Sequence, residues 1–273
     1  MLAGQRQALI LEEIRRHGAV RVSELTELFA VSDMTVRRDL DALAAAGLVD
    51  KVHGGATAPG RLSTDEPGFE AKSHRQLEEK EAIARAAREL VEPGQAIGLT
   101  AGTTTWRLAH HLLDVPDLTV VTNSIQAANV LHRERRPDLT VILTGGVRTP
   151  SDALVGPVAM TTLRTLHVDL LFVGVHGITE DAGFTTPNLL EAETNQALIA
   201  AAEQVVVVAD HTKWGVRGLS RFARLDEAHV LVSDAGLGRD ARTILSEHVA
   251  RLVLASARGR NRSRLAPEPD GHR

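Results

Sequence analysis

Residues 100–106 of the 273-residue chain read TAGTTTW and follow the apolar run AIGL, so a glycine and a comb of hydroxyls stand where a buried strand opens into a helix. Gly102 admits close backbone approach, a helix start favours an anion, and Thr103, Thr104 and Thr105 add hydroxyl donors; with Thr100 these are the parts of a phosphate cradle. The same residues could do less, the glycine turning the chain and the threonines capping the helix, and no Walker lysine pattern accompanies them. Other strand ends carry matching chemistry. Thr122, Asn123 and Ser124 end one apolar run, Gly145 and Gly146 follow VILT, His176 sits in GVHG, and ADHTKWG supplies Asp210 and Lys213. Hydroxyls and amides bind sugar oxygens or phosphate, and a lysine adds a point charge. Singly, each could be a turn former or cap. Their recurrence at several strand ends predicts one shared crevice.

A second cluster lies in VSDMTVRRDL. At 100° per residue, a helix that buries Val36, Leu40 and Leu43 turns Met34 and Arg38 outward, with Thr35, Arg37 and Asp41 beside them. Arginine pairs bidentately with guanine in the major groove, Thr35 reaches a base edge or a phosphate, and Ser32 with the helix start offers amide donors to a phosphate. The competing reading is a solvated face on which Arg37 and Arg38 neighbour Asp39 and Asp41. Charge does not decide between them. The chain carries a net −4, and residues 1–57 hold seven Lys and Arg against eight Asp and Glu, so nucleic-acid binding would rest on local geometry.

Other chemistries are excluded or disfavoured. Without cysteine there is no disulfide, thiolate nucleophile or cysteine-ligated metal. Among twelve histidines, His110 and His111 are adjacent but no HExxH spacing occurs, so neither a metal nor a cofactor is expected. Aldose–ketose interconversion needs a general base, usually a carboxylate; a lone His176 favours binding without a catalytic residue. With 3% aromatic residues and no tyrosine, Trp106 and Trp214 suit a core or pocket wall better than a platform for single strands.

The elements that must position these groups are legible as patterns. Apolar residues at helical spacing run from Gln5 to Arg16; Ser23 and Ser32 are candidate N-caps of two further helices joined by a short turn, the second closing at Gly47. LVDKVHGGAT then alternates and turns at Gly54 and Gly55 as a hairpin wing that carries Lys51 and His53. This is a helix-turn-helix arrangement with a wing over residues 1–57. Residues 58–76, with two Pro-Gly pairs and no sustained periodicity, read as a linker. From 77 to 256, seven strand-like runs alternate with helix candidates near 78–91, 104–113, 124–132, 156–166, 188–202 and 238–247, which predicts an α/β domain with a mostly parallel sheet. The polar tail 257–273 is expected to be disordered. No apolar run nears the ~20 residues of a membrane span and no signal peptide opens the chain, which predicts a cytoplasmic protein with no membrane partner.

The stretch VSELTELFAVSDMTVRRDLDALAAAGLVDKVHGGA closely resembles the winged helix of DeoR-family bacterial transcriptional regulators, and EEKEAIARAARELVEPGQAIGLTAGTTTWRLAHHL, LTVVTNS, LTGG, FVGVHGI and ADHTKWG resemble that family's second domain. The likeness covers roughly residues 3–255. It implies a repressor of carbohydrate-metabolism genes that binds double-stranded operator DNA and is released by a phosphorylated sugar or polyol; a homo-oligomer is expected as well, because one small recognition helix on a domain with no positive excess gains affinity when two copies are linked. It also implies a second domain like ribose-5-phosphate isomerase, with the GTT loop and Lys213 as phosphate contacts. Thr100 and His176 depart from the family pattern, which often has an aspartate at the first position and an aspartate or asparagine at the second. Two other readings stay open: a phosphosugar isomerase or deaminase with an appended DNA-binding domain, and a scaffold whose helix-turn-helix binds protein.

Overall fold

The computed structural model describes residues 2–17, 19–52, 55–57, 62–63, 68–133 and 136–256. The N-terminal region consists of α1 (Ala3–His17), β1 (Ala19–Arg21), α2 (Val22–Phe29), α3 (Asp33–Ala45), β2 (Asp50–Val52) and β3 (Gly55–Thr57). Its three strands pair antiparallel in the order β1-β3-β2. The helices form because one stripe of each is apolar: Ile10, Ile14, Leu25, Val36, Leu40 and Leu43 close into one core with Val20, Val49 and Ala56. Helix α2 begins at Val22, one residue ahead of the Ser23 expected to cap it. The break before α3 is tight enough to hold Ala30 at a positive φ of 50°. Asp39, which the competing reading placed on a solvated face, is instead buried against Arg6 of α1, with Gln7 Nε2 donating to its other oxygen at 3.2 Å.

The described parts of the segment between the regions have regular structure that its proline and glycine content did not suggest. It holds β4 (Leu62–Ser63) and α4 (Phe69–Ser73). Periodicity could not show them, because a two-residue strand and a single helical turn have no period to read.

Beyond it come α5 (Leu77–Arg88), β5 (Ala96–Leu99), α6 (Thr103–His111), β6 (Leu118–Thr122), α7 (Ile125–Arg133), β7 (Leu139–Leu143), β8 (Val147–Arg148), β9 (Leu154–Val155), α8 (Pro157–Leu163) and β10 (Val168–Gly174). The chain continues through β11 (Gly177–Thr179), β12 (Gly183–Thr186), α9 (Leu189–Ala200), β13 (Ala202–Val208), β14 (Arg217–Gly218), β15 (Ser220–Ala223), β16 (Val230–Asp234), α10 (Arg239–His248) and β17 (Arg251–Ala255). The seven anticipated runs form one parallel sheet, ordered β17-β16-β13-β10-β5-β6-β7. Its strands are apolar on both faces: Leu170, Phe172, Val206 and Val208 enter one core, while Leu171, Val173, Val205 and Val207 enter the other. Helices cover both sides. A smaller antiparallel sheet, β11-β12-β15, and the β8–β9 hairpin were not anticipated; both are too short to stand out from loops.

Strand order places the site. Between β5 and β10 the sheet changes direction of winding, later strands adding on either side, and at such a switch point the turns beyond the carboxyl ends diverge and leave a crevice. The expected tail at 257–273 lies outside the described residues.

Candidate functional site

A cavity of about 510 Å³ opens at that switch point, bounded by the turns after β5, β6, β10 and β13 and by α4, α5 and α9. Of the anticipated residues, Gly102, Thr103, Thr104, Asn123, His176, Asp210 and Lys213 line it. Thr100, Thr105, Thr122, Ser124, Gly145 and Gly146 do not, and all of these but Gly145 have local work. Thr105 Oγ1 donates to the carbonyls of Thr100 and Gly102 at 2.7 and 3.0 Å; Thr100 Oγ1 accepts from Gly174 N at 3.0 Å and ties β5 to β10. Thr122 Oγ1 donates to Leu99 O, and Ser124 Oγ accepts from Ala127 N in the first turn of α7. Gly146 has a φ of 121°, and a Cβ there would lie 2.4 Å from Val155 O, so the second glycine closes the approach of β8 to β9.

The threonine comb thus divides. Thr105 braces the turn. Thr103 and Thr104 are 7% and 8% exposed, line the cavity, and have no hydrogen-bond partner for their hydroxyls among the described residues. Helix α6 has Gly102 at its N-cap and no side chain on its first amides, so the threonines do not cap it. Uncapped amides and open hydroxyls therefore face one space. Asn123 is nearly spent, its Oδ1 accepting from Ala101 N at 2.8 Å and its Nδ2 donating to Leu154 O at 3.3 Å.

Lys213 stands on a short turn whose geometry is fixed twice: Asp210 accepts from Thr212 N at 3.1 Å, and His211 N donates to Asp234 Oδ1 at 2.7 Å. The Lys213 ammonium has no ion pair or hydrogen bond among the described residues. The cavity also gathers cations that strand-end reasoning missed, Lys72 on α4, Arg75, and Lys80 on α5. Lys80 is 4% exposed and donates to Lys72 O at 2.8 Å. Burial lowers its pKa to about 8, opposed by Asp210 and reinforced by Lys213, Arg107 and Lys72. A signal for it was present: Lys80 sits on the stripe with Ile83, Ala84 and Ala87, where a charge is out of place unless a site uses it. His176 is lowered to about 4, first by burial and then by Lys213 and Lys72, so it stands as neutral imidazole. Thr186 on β12 and Glu191 and Asn195 on α9 complete the opposite wall, and Lys51 of the wing reaches the rim. Trp106 and Trp214 pack beside the two cores, Trp106 meeting Phe69 edge to face at 5.6 Å.

The second predicted site presents an outward face. Ser32 caps α3 through Thr35 N, at 3.3 Å, and its hydroxyl lies 2.9 Å from that of Thr35. Met34, Arg37 and Arg38 are exposed, opposite buried Val36, Leu40 and Leu43. Arg37 is paired with Asp33 of the previous turn at 3.1 Å and Lys51 with Asp41, which leaves Arg38 as the arginine of this face with no partner among the described residues. His53 lies outside the described residues. Among the described residues no group of three or more His, Asp and Glu could hold a metal, and no helix is long and apolar enough to cross a membrane.

Residues 6–61 match the family model of the DeoR-like helix-turn-helix domain, and residues 75–235 that of the DeoR C terminal sensor domain. The chain is 38% identical to the transcriptional regulator GlpR of Haloferax volcanii over 94% of its own length and 100% of the relative's. It is 36% identical to the uncharacterized regulator YgbI of Escherichia coli (93% and 99%), and 32% identical to that organism's glycerol-3-phosphate regulon repressor (92% and 98%). Among solved structures, ribose 5-phosphate isomerase from Methanocaldococcus jannaschii aligns with a TM-score of 0.36 and 19% identity over 50% of this chain and 53% of that one.

Proposed function

Because the chain belongs to the DeoR family of helix-turn-helix transcriptional regulators, we propose that it represses carbohydrate-metabolism genes through α3 and the wing, and that a phosphorylated sugar or polyol in the cavity lowers its affinity for operator DNA. The observation that carries the effector is the pair of buried, unpartnered hydroxyls of Thr103 and Thr104 at the uncapped start of α6. Charge agrees with it. Lys72, Arg75, Lys80 and Lys213 line the cavity against Asp210 and Glu191, four cations to two carboxylates once Lys51 at the rim is set against Asp41, and neutral His176 adds none. A phosphate dianion offsets much of that surplus, while donors pre-arranged at a helix start hold its oxygens.

Release of DNA requires that the ligand prefer the low-affinity arrangement, since equal affinity for both would shift nothing. The connecting segment gives that preference a route. β4 pairs with β14, just beyond the turn that bears Lys213. α4 bears Lys72, whose Nζ donates to Ser151 Oγ at 2.8 Å, and it is seated by Phe69 N donating to Pro150 O at 3.1 Å and by the Phe69 ring on Trp106. An anion drawn between Lys72 and Lys213 therefore pulls on both attachments of the segment that leads to the DNA-facing helices. A homo-oligomer belongs to the same reading: one small domain with no positive excess gains affinity when two copies bind linked half-sites.

The test is retardation of duplexes from the chain's own upstream region, titrated with phosphosugars and their dephosphorylated partners. Release by a phosphorylated member alone supports the reading. Equal responses to both forms would remove the phosphate site, and turnover of any member would favour the isomerase or deaminase instead. Light scattering at operator-binding concentrations reports the oligomer, which a monomer protecting one unrepeated site would exclude.

A further inference from the structure

The wall of the cavity formed by α9 does not bear the cations that would hold a phosphate. Asn188 caps this helix, its Oδ1 accepting from Leu190 N at 3.0 Å and Glu191 N at 3.2 Å, which fixes the direction of the first turns. Glu191 and Asn195, four residues apart, share one face and both line the cavity. Glu191 already accepts from hydroxyls, Thr149 Oγ1 at 2.6 Å and Thr186 Oγ1 at 3.4 Å. Asn195 is 8% exposed, and its amide has no hydrogen-bond partner among the described residues. The fully enclosed, partnerless side-chain nitrogen or oxygen among those residues is Arg107 Nε alone, so the Asn195 amide is not sealed in the core; it opens on the cavity. An amide that is nine-tenths buried, has no partner among the described residues and opens on a cavity is placed to be completed by whatever occupies that cavity.

We propose that Asn195, seconded by Glu191, reads the hydroxyls of the unphosphorylated part of the ligand, so that the cavity selects a phosphate ester carrying a polyhydroxylated chain over one carrying an alkyl chain. The inference rests on the phosphate reading above. An amide both donates and accepts and a carboxylate accepts, so neighbouring hydroxyls, each donor and acceptor, satisfy both side chains at once. An alkyl group in the same place would cover the Asn195 amide without pairing it, which is how a site built for hydroxyls rejects a ligand lacking them.

Calorimetry on the full chain with glucitol 6-phosphate, hexyl phosphate and inorganic phosphate tests this. The wild type is expected to bind the hexitol ester at least about tenfold more tightly than the hexyl ester. Asn195→Ala should bring the two esters within about threefold through a loss confined to the hexitol ester, and Asn195→Asp, which keeps acceptors but loses the donors, should fall between. Thermal melting separates a structural role: removing an unpaired buried amide leaves the midpoint unchanged or raised, whereas a structural amide would lower it. No preference in the wild type, a preference that survives Asn195→Ala, or a lowered midpoint with all three ligands weakened alike would overturn the assignment. Failure of all three ligands to bind the wild type would remove the phosphate site itself.

Discussion

Helix α3 starts behind Ser32, whose hydroxyl accepts from Thr35 N, whereas α6 starts behind Gly102 with no side chain on its first amides. The first start is exposed and completes itself; the second borders a cavity and is left open. The charges follow the same division. Around α3 they are spent within the domain, Arg6 on Asp39, Arg37 on Asp33 and Lys51 on Asp41, leaving Arg38 on this face with no partner among the described residues. In the cavity, Lys213 and the Thr103 and Thr104 hydroxyls are held in place with no partner among the described residues. A duplex is met on a convex surface, where a helix must be stable by itself to present a few side chains. On the reading proposed above, a small anion is met inside, where unfilled donors cost little if the ligand fills them.

Substitutions at five positions and a change of pH would break or sharpen this contrast. The largest effect is expected from Arg6→Ala, which strands the buried Asp39 carboxylate and should destabilise the N-terminal region by about 3–5 kcal/mol in denaturant titration. A loss below about 1 kcal/mol would mean that the pair is not structural. Lys213→Ala should weaken a phosphorylated ligand by about 1.5–3 kcal/mol by calorimetry, through loss of a charged donor; undiminished affinity would take Lys213 out of the site. In operator binding, Arg38→Ala should cost about 1–3 kcal/mol and relax preference at one base pair, with Arg37→Ala costing less because Asp33 already engages that side chain. The reverse ranking would place the α3 face differently on the groove.

The pH dependence comes next. With Lys80 lowered to about 8 in the free protein, a bound dianion should raise it, so binding takes up a proton above that pH and affinity falls by up to about tenfold per unit. At the acid end the phosphate ester loses its second charge near pKa ~6, which weakens binding again. His176, lowered to about 4, should add no step between these limits. Calorimetry at pH 8.5 in buffers of different ionisation enthalpy measures the uptake, and none would count against Lys80 facing the anion. The smallest effect is Ser32→Ala, about 1 kcal/mol of helix stability with the ligand affinity of the cavity unmoved. A larger loss confined to DNA affinity would show Ser32 contacting the duplex as well as the helix.

What the sequence by itself determined is local. A period of 3.6 located the long helices and continuous apolar runs the seven strands of the parallel sheet, and one turn of helix geometry separated buried Val36, Leu40 and Leu43 from exposed Met34 and Arg38. Strand ends were legible because a glycine, a hydroxyl or another polar residue closes each apolar run. Only the tertiary structure decided which of those groups share a space. The sheet order, read from no single segment, set β5 beside β10 and brought the turn at 102–104 to the turn at 210–213, more than a hundred residues later. Packing on both faces then divided the comb, sending Thr105 to the turn and Thr103 and Thr104 to the cavity, and supplied Lys72, Lys80, Glu191 and Asn195 from helix faces that no strand-end rule inspects. A side chain's direction is fixed by its own backbone, but what it faces is fixed by whatever packs opposite, and that depends on contacts distant in sequence.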